Sequence, residues 1–532
     1  MRHRTTSIGL YVTLLRRPTL TPDPSPDGRG ERRASPDVSS GFVRINSRCT
    51  GQFGSAATLA AALLALSACS IIGKAPQAPG IASDMPAGWA ERGLSDADTA
   101  VTAPDWWRSF SSEELSTLIA AALGANPDLV IAAERVRQAE AQVRIAGASL
   151  FPQLNFGAGT SRRETRPDGG AWSASDGSSA IFSASYELDL WGLNAAGVRA
   201  AESTFRASRF DLETVRLTLV AGVANAYFQV LSLRGRLAIA RENVVIANRV
   251  FAVVDARARN GAASELDLAR QRSEVLAQQA SIPPLELQER QTLFALALLL
   301  GRPPEGFNAG LGAPGAAAAM NLTDLAVPRV APGLPADLLT RRPDLASAEA
   351  QLAAANANVA AARAALLPGI QLTGSAGLAS DVLLNFLNVP TATLALAASL
   401  VQTIFDGGRL SGQVDLAASR ERELVETYGK SILTALADVE SALAANSRTA
   451  DQELLQEQVL GEARRALRLA EIRYREGVDD LLTVLDAQRT LFQAEDQLAQ
   501  TRLSRLQASI GLFKALGGGW KMTEPPRAPS EG

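Results

Sequence analysis

The chain has 532 residues, of which 47% are apolar and 20% charged, with a formal net charge of −3; that is ample for a large core or several domains. Near-neutrality and the lack of a basic patch speak against a nucleic-acid partner. The only histidine, His3, lies in a segment that does not read as mature protein, and no nucleophile–base pair, metal-spaced ligand set or phosphate loop is present, so the sequence does not read as an enzyme.

Residues 1–42 have no periodicity and are rich in proline, and read as a mis-assigned start or a dispensable extension. Residues 43–68 form a leader: Arg44 and Arg48, an apolar run from Ala56 to Leu66, then the small residues Ser67 and Ala68. The run is too short to span a bilayer, which takes about 20 residues. Leu66-Ser67-Ala68-Cys69 resembles a bacterial lipoprotein box, in which Cys69 becomes the lipid-bearing first residue. Ser70, where an aspartate would favour inner-membrane retention in such proteins, leans towards the outer membrane. From Cys69 to residue 104 a proline- and glycine-rich tether carries Pro76, Pro79, Pro86 and Trp89, a composition that is extended rather than packed.

Folded structure begins at Asp105-Trp106-Trp107 and shows an internal repeat. Asn126-Pro127-Asp128-Leu129 recurs as Arg342-Pro343-Asp344-Leu345, Leu150-Phe151-Pro152 as Leu366-Leu367-Pro368, Trp191-Gly192 as Asp406-Gly407, and Arg259-Asn260-Gly261 as Arg475-Glu476-Gly477, at an offset near 216. The spacing divides the chain into a first unit at 105–301, a linking segment at 302–341, a second unit at 342–520 and a tail at 521–532.

Each unit follows one plan. Pro127 and Pro343 suit the first position of a helix, and alanine-rich helices follow. Alternating segments come next, one hairpin near 152–191 and one near 368–406. Leu154, Phe156, Ala158 and Thr160 share a face, as do Phe182, Ala184, Tyr186, Leu188 and Leu190; in the second unit Ile370 to Leu378 and Leu394 to Ile404 alternate likewise. A polar stretch from Arg162 to Ser179 reads as the loop of the first hairpin, and Asp381 to Val389 as that of the second. Strands of about ten residues can cross a tilted bilayer, though a soluble two-sided sheet gives the same pattern. Four strands cannot close a barrel, so a transmembrane reading requires two copies for eight strands or three for twelve. After each hairpin a proline-free run, Asn194 to Arg259 and Leu410 to Arg475, predicts a helix of roughly 100 Å. The return helices are Ser264 to Ile282, continuing past Pro283-Pro284 to Leu300, and Asp479 to Leu516; helices this long must pair as coiled coils or as a bundle.

The segment Arg473 to Arg489 reads as a sharp turn between two such helices, with Gly477 in the left-handed cap and Arg473 and Arg475 in the preceding last turn. On the second helix Leu482, Asp486 and Arg489 lie on one face. Facing a symmetry axis, they would stack a leucine, a carboxylate and an arginine ring into a gate; facing water, Asp486 and Arg489 are an ordinary surface pair worth a few tenths of a kcal/mol.

The lipoprotein box, the duplicated helix–hairpin–long-helix unit, the stretch Tyr474 to Arg489 and the ending Lys514-Ala515-Leu516-Gly517-Gly518-Gly519-Trp520 together resemble the outer-membrane efflux factors, the TolC-like superfamily, and within it the lipoprotein branch typified by OprM and the NodT-type proteins. The match covers about residues 66 to 522. The resemblance implies an α + β membrane protein and a homotrimer with a twelve-stranded transmembrane β-barrel, four strands per chain. A long periplasmic α-helical coiled-coil barrel would continue it, with a mixed α/β equatorial belt drawn from about Trp106 to Leu123 and Leu322 to Thr340. It implies a covalent lipid on Cys69 and no other cofactor, a location in the outer membrane, and a passive exit duct fed by an inner-membrane pump, of RND type, through a periplasmic adaptor. Leu482, Asp486 and Arg489 match the positions that constrict the periplasmic end; Thr483 stands where TolC carries a second aspartate, so no double aspartate ring is expected. The adaptor would dock on the helical tips at Arg259, Gly261, Ser264, Arg475, Gly477, Asp479 and Asp480. The rival expectations are a lipid-tethered periplasmic scaffold without a pore and an exit duct for type I protein secretion.

Overall fold

The computed structural model describes residues 85–91, 103–308, 322–380 and 390–522. Cys69, the leader, most of the tether, the Asp381–Val389 loop and the tail beyond residue 522 lie outside the described residues. The helices are α1 (Glu113–Ala125), α2 (Pro127–Ala148), α3 (Leu193–Arg259), α4 (Glu265–Ala280), α5 (Ile282–Leu299), α6 (Pro343–Ala364), α7 (Arg409–Arg475) and α8 (Leu481–Ala515). The strands are β1 (Gln153–Thr165), β2 (Ser173–Leu188), β3 (Gly369–Ser380) and β4 (Thr391–Val401). Elements of the first half recur in the second: α2 and α6 each have 22 residues, and α3 and α7 each have 67.

Both 67-residue helices rise about 100 Å at 1.5 Å per residue. Each starts on a glycine in the left-handed region and on a carboxylate: Asp189 accepts the amides of Asn194 and Ala195, and Asp406 those of Gly408, Arg409 and Leu410. Negative charge at a helix start meets the unpaired amides and the positive end of the dipole. The return from α3 differs from the continuous helix predicted. It breaks at Ser281, because Pro283 and Pro284 lack the amide protons a continuing helix needs, and they serve instead in the first turn of α5.

The four strands form one antiparallel sheet in the order β1-β2-β3-β4, with β1 and β4 at open edges. Its register sorts the side chains by parity. Even-numbered rows run from Leu188–Ile370–Leu400, through Leu154–Ala184–Gly374–Leu396 and Phe156–Phe182–Ala376–Leu394, to Ala158–Ala180–Leu378–Ala392. They make a wholly apolar face; the Phe156 and Phe182 rings lie 4.8 Å apart on it. Odd-numbered rows, such as Asn155–Ser183–Ser375–Ala395, are small and polar. The apolar rows span about 27 Å of strand, or about 20 Å of height at a 40° tilt, near the apolar band of an outer-membrane barrel.

The Arg162–Ser179 stretch is not a loop. β1 and β2 stay paired to Thr165–Ser173, and the turn is confined to the residues between. The serine, glycine and charged residues there have no apolar alternation, because this part of the ribbon projects past the last apolar row.

The largest core lies at mid-height, where the two halves meet. Trp106 stacks on Phe513 at 4.9 Å, Phe110 packs on Phe228, and the Tyr227 hydroxyl bridges Ser112 and Glu114. Leu322, Leu325, Val330 and Leu338 close over it. Among the described residues the expected belt consists of α1 and short helices at Trp106–Phe110, Leu322–Asp324, Pro335–Asp337 and Leu338–Arg341, with Val330 a lone bridge residue. Half-buried Arg342 ties the belt to the end of α8, reaching Asp344 at 2.7 Å, Asp438 at 3.1 Å and the Ala515 carbonyl.

Gly517, Gly518 and Gly519 all have positive φ where the chain leaves α8, and a Cβ at Gly517 would collide with the Arg341 carbonyl. Gly517→Ala is therefore expected to lose about 2 kcal/mol or more, since left-handed strain alone costs about 1–2 kcal/mol. Gly461→Ala, in an open stretch of α7, is expected to gain up to about 1 kcal/mol. Thermal melting of the detergent-solubilised protein compares the two.

Candidate functional site

At the ends of the long helices lie two turns with the same backbone. In the first, Gly261 has φ 72°, the Ala262 amide bonds the Arg257 carbonyl at 2.8 Å, and Ser264 caps α4. In the second, Gly477 has φ 76°, the Val478 amide bonds the Arg473 carbonyl at 2.9 Å, and Asp480 caps α8. Both are left-handed glycine caps that satisfy the last carbonyls of a helix and reverse the chain.

The caps themselves differ. Ser264 and Asp267 form a reciprocal capping box, each side chain bonding the other's backbone amide at 3.1 Å. Asp480 accepts both the Thr483 amide, at 3.0 Å, and its hydroxyl, at 2.8 Å. Those two bonds, the amide first, hold the Asp480 carboxyl below the usual carboxylate range. Arg473 grips Asp479 with two bonds of 2.6 and 2.8 Å across the second turn, which lowers the Asp479 carboxyl and raises the Arg473 guanidinium. Arg259 pairs with Asp255 one turn back, and Arg475 stays exposed beside Gly477.

Arg257 joins one turn to the other. It donates to the Tyr474 carbonyl at 2.6 Å, and its guanidinium lies 4.6 Å from the centre of the Tyr474 ring. Burial raises the Tyr474 phenol, and the neighbouring Arg257 opposes that. Behind the turns, Val250 and Val254 of α3 pack against Leu467 and Ala470 of α7 and Leu481, Val484 and Leu485 of α8.

The same helical period leaves Leu482, Asp486 and Arg489 on the outside of α8, Leu482 with 49% of its surface exposed. The three share a face, but Asp486 and Arg489 do not pair within the chain. Arg489 turns to Glu274 of α4 at 3.5 Å, because that buried carboxylate is the stronger attractor. Sequence reasoning missed Glu274 and its neighbours Gln271 and Gln488, all buried in the coiled coil. Gln488 could have been found, since it follows Leu481, Val484 and Leu485 on the apolar stripe; both polar ends of its side chain lack a partner among the described residues. The Arg257–Tyr474 contact spans 217 positions and left no mark in local spacing.

A carboxyl whose pKa is lowered on folding stabilises the folded tip above its unfolded value of about 3.9 and loses that contribution as pH falls through the lower folded value. With Asp479 and Asp480 lowered, tip geometry should hold from pH 5 to 8 and loosen only below about pH 4. Distances between spin labels at positions 260 and 476 would read this, and Asp479→Asn should loosen the tip already at pH 7. A transition between pH 5 and 8 would implicate some other group.

A family model described as outer membrane efflux protein matches residues 118–302 and 334–518. The pyoverdine export outer membrane protein OpmQ of Pseudomonas putida is 44% identical over 476 residues, covering 87% of this chain and 97% of its own. The outer membrane protein OprJ of Pseudomonas aeruginosa is 34% identical, covering 88% and 96%. Among solved structures, a membrane protein from Pseudomonas aeruginosa aligns with TM-score 0.75 and 32% identity over 84% of this chain and 99% of its own. The channel protein CusC aligns with TM-score 0.74 and 29% identity over 84% and 99%.

Proposed function

The chain belongs to the outer membrane efflux protein family, and on that premise we propose that three copies share one twelve-stranded barrel above a helical tube, a passive exit duct for small molecules. It is the outer-membrane component of an efflux system. Its partners would be a periplasmic adaptor and an inner-membrane pump, of RND type; a transport family gives no reason to assign it an enzymatic activity.

The observation that carries the shared barrel is the sheet: one face apolar from the Leu188 row to the Ala158 row, the other mainly small and polar, and two open edges. In lipid an unpaired edge leaves amides and carbonyls without water, at several kcal/mol per group, so β1 of one copy would pair with β4 of the next. The two family matches begin 216 residues apart, which supports tandem duplication as the origin of the two halves. Lipid on Cys69 would add an anchor on the periplasmic side, as its lipoprotein box suggests.

The tips would meet the adaptor through the Gly261 and Gly477 turns, and α8 would present Leu482, Asp486 and Arg489 to the three-fold axis. Leucine packing there excludes water, and Asp486 places three carboxylates in the narrowed mouth. The energy for export comes from the pump. OpmQ is named for pyoverdine export in both Pseudomonas putida and Pseudomonas aeruginosa, which makes that cargo the first to test.

Outer-membrane fractions should contain heat-modifiable trimers that conduct in planar bilayers; water-soluble monomers would favour the pore-free scaffold instead. Leu482→Ala with Asp486→Ala should raise closed-state conductance severalfold and sensitise cells to antibiotics. Unchanged conductance would remove these residues from the gate.

A further inference from the structure

The sheet register fixes which charges a solute meets inside the proposed barrel. On the odd-numbered face the side chains are almost all Ser, Thr, Asn, Gln, Gly or Ala, and the larger aliphatic exceptions are Ile181 and Val401. Among the described residues of the four strands, that face carries two ionisable groups. Glu187 lies in the row Glu187–Gln371–Ser399, at the end from which the helices leave. Arg163 lies opposite Ser175 in the projecting ribbon, beyond the last apolar row. Both are exposed. The remaining strand carboxylates and guanidinium are on the even face, where Arg162 lies 3.2 Å from Glu164 and 3.9 Å from Asp176. They sit just past the apolar band, outside the lumen, and sum to one negative charge per chain.

We infer that Arg163 and Glu187 set the charge preference of the barrel. This rests on the shared trimeric barrel proposed above. Three copies place a carboxylate ring at its periplasmic end and a guanidinium ring at its outer mouth, with a neutral wall of hydroxyls and amides between. The two rings are about 40 Å apart along a strand. That is about four screening lengths at 0.1 M salt, so each acts independently. The lower ring draws cations and the upper ring draws anions, while polar neutral and zwitterionic solutes meet hydrogen-bonding groups and no net field. Arg163 is thereby the outermost charged group on the lumen-facing rows of the described strands.

The test is the K⁺/Cl⁻ permeability ratio of single channels in a salt gradient, in the Leu482→Ala/Asp486→Ala background so that the tip does not dominate. Arg163→Glu is expected to raise the ratio about twofold or more near 0.1 M and much less at 1 M, where the screening length is about 3 Å. Glu187→Gln is expected to lower it. Arg163→Gln, which changes no backbone pairing, should fall between the parent and Arg163→Glu. Channels of undiminished conductance with an unaltered ratio in all three variants would overturn the assignment while leaving the duct intact. Failure of the parent protein itself to form channels would overturn the shared barrel on which it rests.

Discussion

Backbone amides and carbonyls along β1 and β4 impose the constraint from which the rest of the architecture follows. In water an open strand edge is tolerable; in lipid each unpaired group forfeits a hydrogen bond with nothing in return. A sheet with an apolar face about 20 Å tall and two such edges has to be completed by other copies of itself. The proposed three-fold arrangement would then dictate how the helices behave. Each chain contributes two helix pairs in place of a closed bundle, and its long helices keep exposed faces, Leu416, Leu454 and Leu469 among them. Those faces are surfaces awaiting neighbours.

The mid-height core and the tips divide the mechanical work. At mid-height the aromatic cluster around Trp106, Phe110, Phe228 and Phe513 and the half-buried Arg342 lock both halves to the chain end. Packing is close there, and three successive glycines are needed where the chain passes Arg341, Leu217 and Ala103. Near the tips a smaller core of leucine, valine and alanine, with Phe492 and Tyr474, lies beside the buried Gln271, Glu274 and Gln488. A polar layer of this kind fixes register in a coiled coil while lowering its stability. The tip is thus held by a smaller apolar core together with named contacts, Arg257 to Tyr474 and Arg489 to Glu274.

Much of this was readable from periodicity. Proline-free runs marked the long helices, alternation marked the strands, and Gly261 and Gly477 marked the reversals, because each signal is local. The projecting half of the first hairpin was not readable. Its side chains face solvent on both sides, so nothing selects alternation, and the pairing is carried by backbone hydrogen bonds that leave no trace in composition. The backbone of the belt segments was not readable for a related reason: short segments packed on a common core take whatever backbone the core allows. At the tip, the face shared by Leu482, Asp486 and Arg489 followed from helical spacing, whereas the choice of Glu274 as the partner of Arg489 depended on how α4 and α8 settle side by side.

The paired turns have a consequence for counting. Their backbones are alike, yet one is capped by Ser264 with Asp267 and the other by Asp480 with Thr483. A docking protein that senses only the shape of the reversal would find six equivalent seats on a trimer. One that senses the caps would find three of each kind, so in the proposed trimer four side chains would decide the stoichiometry of the assembly.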